Sequence, residues 1–169
     1  MASHFILDGY NVLMRIPELF GKRVAIPFEA SREGLLQFLA QYRPQGSEKN
    51  EVTVVFDGFT QMRMDWQALL KKGIQVIFSD EKSADDKIFQ MAEDSGRPQE
   101  TRVVTDDREL SERTQRLKVK VVSVKEFLSK VMEAYPKPVA ARDDVKKHLS
   151  PNEESKITEE FKKIWLKKT

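Results

Sequence analysis

Val52-Thr53-Val54-Val55-Phe56-Asp57-Gly58 is a run of β-branched and aromatic residues that stops on a carboxylate and a turn pair. Such a run reads as a strand, and the acid sits where the strand ends. The same design recurs on either side of it. Phe5-Ile6-Leu7 leads into Asp8-Gly9, Val76-Ile77-Phe78 leads into a turn before Asp85-Asp86, and Val103-Val104-Thr105 leads into Asp106-Asp107. If these runs lie side by side as parallel strands, their acids meet at one edge of the sheet. Carboxylates gathered with almost no cation nearby in sequence repel one another, and a hard divalent ion with oxygen ligands is the usual remedy. A metal site is therefore the leading expectation.

Between the strand runs lie segments of helical period, the pattern of a parallel sheet with helices packed on its faces. Strands are expected near residues 4–8, 52–56, 74–79, 101–105 and 119–123. A helix over 28–43 carries Leu35, Leu36, Phe38, Leu39 and Tyr42 as one apolar stripe and stops before Pro44-Gln45-Gly46. Residues 83–95 begin with Ser83 as a cap and place Ile88, Met91 and Ala92 on one side, with Asp85 and Asp86 in the first turn. A third helix follows Asp107 from Arg108 to Gln115, and a fourth runs from Lys125 to Tyr135, where Pro136 and Pro138 break it. The main domain is expected over 1–135. Residues 136–169 then form a charged linker and an amphipathic helix over 153–168, with Ile157, Phe161, Ile164 and Trp165 on one side.

At 169 residues the chain fits one domain with a small appendage. The net charge of +2 excludes a global cationic field, so contact with a polyanion must be local. Absent cysteine excludes disulfides, thiolate zinc sites and cysteine nucleophiles, and two histidines, His4 and His148, exclude a histidine-rich metal site. No apolar run approaches membrane-spanning length, and a cytoplasmic protein is expected.

In open parallel sheets ligands gather outside the carboxyl ends of the strands, where Asp8, Asp57, Asp85 and Asp107 would all project. Each acid alone has a plainer role. Asp8-Gly9 and Asp57-Gly58 are turn pairs, Ser83 to Asp86 is a favourable helix start, and Asp106-Asp107 suits a helix cap. Their coincidence at four strand ends favours a ligand set for Mg²⁺ or Mn²⁺, one ion or two, and hydrolysis of a phosphodiester is chemistry that such ions perform without a protein nucleophile.

Four motifs in order, Leu7-Asp8-Gly9-Tyr10-Asn11-Val12, Val54-Val55-Phe56-Asp57-Gly58, Ser83-Ala84-Asp85-Asp86-Lys87-Ile88 and Val103-Val104-Thr105-Asp106-Asp107-Arg108, resemble those of the NYN domain, a branch of the PIN-like nuclease superfamily, and in particular its YacP-like bacterial members. The motifs carry the resemblance over about residues 4–135. It implies a three-layer α/β/α domain with a mainly parallel sheet and a C-terminal helical extension. It also implies a ribonuclease using Mg²⁺ or Mn²⁺. Asp8, Asp57, Asp85 and Asp107 match the metal-binding and catalytic acids, and Asn11 matches the companion asparagine. Asp86 stands where an acidic neighbour often occurs. Asp106 competes with Asp107 for the fourth position, which the Thr-x-Asp pattern from Thr105 assigns to Asp107. Asn11 can orient a carboxylate through its amide, or serve as a cap; Thr105 can bond a ligand aspartate, but ending its strand is the favoured reading.

RNA, expected to be single-stranded, needs cations near the acidic edge. Arg15, Arg32 and Arg108 lead a group that includes Lys22, Arg23, Arg63 and Lys82. Tyr10, Phe59 and Trp66 offer rings for base stacking, although core packing is the favoured expectation for Phe59 and Trp66. The C-terminal helix has three readings: docking onto its own domain, which is preferred, self-association, or a tether to a larger machine such as the ribosome. Two rivals to the metal-dependent endoribonuclease stand: a weakly catalytic RNA-binding or scaffolding module, and a phosphomonoesterase with an aspartate nucleophile. The latter usually has a second Asp two residues after the first, where this chain has Tyr10.

Overall fold

The computed structural model describes residues 1–25, 31–59 and 66–137. Its five strands are β1 (His4–Asp8), β2 (Glu51–Phe56), β3 (Ile74–Phe78), β4 (Thr101–Val104) and β5 (Lys120–Val122). They lie in the order β3-β2-β1-β4-β5, and every neighbouring pair is parallel. The helices are α1 (Gly9–Phe20), α2 (Arg32–Tyr42), α3 (Trp66–Lys71), α4 (Ala84–Glu93), α5 (Arg108–Gln115), α6 (Val124–Phe127) and α7 (Ser129–Ala134).

Alternation along the strands builds two cores, because successive side chains point to opposite faces of a sheet. Leu7, Val52, Val54, Phe56 and Val104 join one apolar cluster with residues of α1, α2, α3, α6 and α7. Ile6, Val55 and Val103 join the other, with Ala84, Ile88 and Ala92 of α4 and Leu110 of α5. The result is a sheet between two helical layers. Completely buried side chains such as Ile88 and Leu36 each contribute roughly 1.5–3 kcal/mol through burial. Asp8 continues the alternation from Ile6, and Asp57 continues it from Val55, toward the layer that carries α4 and α5.

The chain passes from β1 outward to β2 and β3, then returns to place β4 on the other side of β1. Strand order reverses there, so the β1–β4 boundary is the crevice in which such sheets take ligands. Asp8 ends one of these strands and Asp107 follows the other.

Several expectations are revised. The Asp8-Gly9 turn is the start of a helix: α1 buries Val12, Leu13, Ile16 and Phe20 and tolerates Pro17 near its end. The helix expected over 28–43 starts at Arg32, where the Ser31 hydroxyl accepts the Gly34 N–H at 3.0 Å; residues 26–30 lie outside the described residues. The single helix expected from Lys125 to Tyr135 is two short helices that meet at Leu128. Helix α3 is an addition to the sequence reading. The chain divides into two compact units, Met1–Pro136 and Lys137–Thr169, and the amphipathic helix expected over 153–168 lies outside the described residues.

Candidate functional site

Asp8 is 5% exposed and caps α1. Its two oxygens accept from Asn11: the backbone N–H at 3.4 Å and the side-chain amide at 2.5 Å. Asn11 thus fixes the direction of the carboxylate without adding charge. Burial pushes the Asp8 carboxyl above its ordinary range; the Asn11 bonds oppose the shift, and the charges of Asp57 and Asp107 reinforce it.

Asp57 stands one residue beyond β2, where its Oδ1 accepts the Ala84 N–H at 2.6 Å and so couples the strand end to the start of α4. Beneath it lies Arg32. The Arg32 Nη2 donates to the Asp57 carbonyl at 2.8 Å and to the Tyr10 hydroxyl at 2.6 Å, while Nε donates to the same hydroxyl at 3.0 Å. Its guanidinium also sits 5.6, 5.6 and 5.3 Å from the ring centres of Tyr10, Phe56 and Phe78. Arg32, expected at the RNA, is engaged by the protein's own framework. Sequence reasoning missed this role because the three rings come from separate segments.

Asp85 lies in the first turn of α4, half-buried, and no hydrogen bond or ion pair to its carboxylate occurs among the described residues. Burial first, then the charges of Asp8, Asp107, Asp57 and Asp86, push its carboxyl up to about 6. A first-turn aspartate normally gains from the positive end of its helix. Here burial and four neighbouring acids outweigh that gain.

Asp107 caps α5, its Oδ1 accepting the Leu110 N–H at 2.8 Å. The buried Thr105 hydroxyl accepts the Asp107 N–H at 3.0 Å, so it shapes the turn through the backbone. Asp106 points elsewhere: Oδ2 takes the Arg15 Nε at 2.7 Å, and Oδ1 takes the Val124 N–H at 3.0 Å. Asp86 also turns outward, to Arg113 at 3.2 Å, and bonding to Ser83 and Arg113 holds its carboxyl below the usual range.

The other expected cations are placed variously. Arg15 bridges Asp106 and Glu18, both at 2.7 Å. Arg108 follows Asp107 with its side chain 92% exposed and meets Glu112 at 2.9 Å. Arg23 donates to the Phe20, Leu19 and Tyr135 carbonyls, and Lys82 donates to Gln90. Arg63 and the Trp66 side chain lie outside the described residues. Phe59, expected in the core, is 61% exposed.

The four inner acids therefore share one electrostatic neighbourhood. Among the described residues, however, no three acidic or histidine side chains are placed so that together they could hold a metal ion. The donor chemistry nonetheless fits a hard divalent cation. Mg²⁺ keeps several of its waters and is commonly bound through one or two carboxylates, so a complete cage of protein ligands is not required.

An all-parallel α/β sheet with flanking helices and acids at its carboxyl edge is consistent with a PIN-like nuclease fold, and the family match points to that class. The chain belongs to the YacP-like NYN domain family, whose model matches residues 5–168. The match continues beyond residue 135, where the motifs alone end. A mutant form of Rae1 (YacP) from Bacillus subtilis, solved by crystallography, is similar at 28% identity with a TM-score of 0.56, over 78% of this chain and 76% of that one. A second Rae1 (YacP) crystal structure from the same organism has 23% identity and a TM-score of 0.54, over 98% and 83% of the two chains, and supports the fold alone. No curated protein matches the chain.

Proposed function

We propose that this chain is a metal-dependent endoribonuclease that hydrolyses phosphodiester bonds in unpaired RNA, with Asp8, Asp57, Asp85 and Asp107 holding one or two Mg²⁺ or Mn²⁺ ions. The observation that carries the reading is Asp85: its carboxyl has no cationic partner among the described residues, and burial, reinforced by the charges of acids from three other segments, raises it to about 6. A partly buried carboxylate crowded by other acids weakens a fold and suits a site that receives a cation.

A bound divalent ion supplies activation of water and neutralisation of charge growing on the phosphate. The chain's own residues supply position. Asn11 holds both oxygens of Asp8, Ala84 and Arg32 hold Asp57 by its side chain and its backbone, and Thr105 and Leu110 set the turn carrying Asp107. Asp85 is left without a hydrogen-bond or ion-pair partner for its carboxylate among the described residues. Arg108, beside Asp107 and mostly exposed, is the expected arginine best placed to meet phosphate.

The test is cleavage of an unstructured RNA by purified protein. Activity should require Mg²⁺ or Mn²⁺, disappear with EDTA and return on adding the ion. RNA binding without metal-dependent cleavage would instead identify a binding module of the same fold.

A further inference from the structure

Every other described phenylalanine lies within one of the two apolar clusters or packs against it, whereas Phe59 stands outside both with 61% of its surface exposed. A lone exposed apolar side chain is common on proteins, so position must decide whether this one matters. Phe59 is two residues past Asp57, which limits the distance between their α-carbons to about 7 Å.

The backbone leading to the ring is held by three hydrogen bonds. The Asp57 carbonyl takes the Arg32 guanidinium at 2.8 Å, the Gly58 N–H donates to the Ser79 hydroxyl at 3.2 Å, and the Gly58 carbonyl accepts the Asp80 N–H at 3.1 Å. Gly58 itself has φ +92°, a conformation that side chains rarely adopt. A ring carried on an anchored turn needs little ordering when it meets a ligand.

We propose that Phe59 is a platform on which an unpaired RNA base stacks while the adjoining phosphate reaches the acidic edge, making this turn a determinant of single-strand preference. The inference rests on the ribonuclease reading. An unpaired base offers its face to a ring, whereas a base inside a duplex is already stacked on its neighbours.

The experiment uses the full chain with Asp85→Asn as the parent, to prevent turnover, and measures its affinity for a short unstructured RNA and for a duplex of equal length. Adding Phe59→Ala should weaken binding to the unstructured RNA about tenfold and leave the duplex unaffected. Phe59→Tyr and Phe59→Trp should restore it, and thermal melts should be alike throughout. If the parent binds RNA and Phe59→Ala binds equally well, the platform is overturned while the ribonuclease reading stands. Equal loss on both RNAs overturns stacking. Unchanged RNA affinity with an altered elution volume makes the ring a contact between copies and overturns the platform. A parent that binds neither RNA, together with an unsubstituted protein that cleaves none, overturns the ribonuclease reading itself.

Discussion

Asp85 and Asp86 are neighbours in sequence, as are Asp106 and Asp107, yet the members of each pair belong to different electrostatic worlds. Asp85 and Asp107 face the crevice with Asp8 and Asp57, where their charges add. Asp86 and Asp106 face outward and meet Arg113 and Arg15. In the inner group burial and like charge together raise the carboxyls of Asp8 and Asp85, and the outer group is ordinary surface pairing that ties helices together. A carboxylate's role in this protein is thus decided by the direction in which its turn aims it.

The sharpest way to break this division is to neutralise one acid of each kind. Asp8→Asn and Asp85→Asn should each lower RNA cleavage by about a hundredfold or more, the scale seen when a preorganised electrostatic group is removed from an active site. Asp86→Asn should leave the rate within a few-fold. Initial rates at saturating Mn²⁺ decide it; similar losses at Asp85 and Asp86 would erase the distinction.

The strand runs and their terminal acids were legible because they are local: a β-branched run stops, and a carboxylate follows. The α1 helix was not legible because Pro17 and Asp8-Gly9 both read locally as breaks, while Val12, Leu13, Ile16 and Phe20 gain their stability from burial under the sheet. Arg32 was misjudged for a related reason. Its partners, Tyr10, Phe56, Asp57 and Phe78, come from three separate stretches, and no spacing within α2 reveals them. Phe59 was expected in the core on residue type alone, and only the turn at Gly58 shows the ring left in solvent.

Arg32 supports the inner group from below without neutralising Asp85, which makes it the next point of attack. Arg32→Ala removes hydrogen bonds to Tyr10 and Asp57 and three ring contacts, and should destabilise the fold by about 2–3 kcal/mol. Arg32→Lys should recover less than half, because an ammonium lacks the planar fork that spans the Tyr10 hydroxyl and the Asp57 carbonyl. Urea denaturation measures both. Full recovery by lysine would mean that charge alone matters here.

The burial and crowding of Asp85 also have a pH signature. The folded Asp85 carboxyl titrates near 6 against an ordinary 3.8, so its ionised form is disfavoured by folding. Its unfavourable contribution is absent below about pH 4, where both states are protonated, and it develops fully as pH rises through 6. Asp85→Asn should therefore stabilise the metal-free protein at pH 8 and have little effect at low pH. The unscreened shift corresponds to about 3 kcal/mol, and solvent screening of a half-buried group reduces the expected gain to about 1 kcal/mol. Melting curves across this range in EDTA test it; a destabilised asparagine variant at pH 8 would contradict the account of Asp85.

The smallest effect belongs to the outer group and separates its two functions. Asp106 offers one oxygen to Arg15 and the other to the Val124 N–H, joining α1 to the start of α6. Asp106→Asn can retain the second bond while losing the ion pair, which is solvent-screened and should contribute little to stability. Asp106→Ala loses both acceptors and should cost about 1 kcal/mol more, since the Val124 N–H then lacks its partner. A double-mutant cycle with Arg15→Ala isolates the pair, because the Val124 bond is common to both arms containing Asp106. In every one of these variants cleavage should stay within a few-fold of the unsubstituted protein. If Asp106→Asn instead stops cleavage while leaving stability intact, Asp106 belongs with the inner acids, and its bond to Arg15 is a resting position that it leaves when the metal arrives.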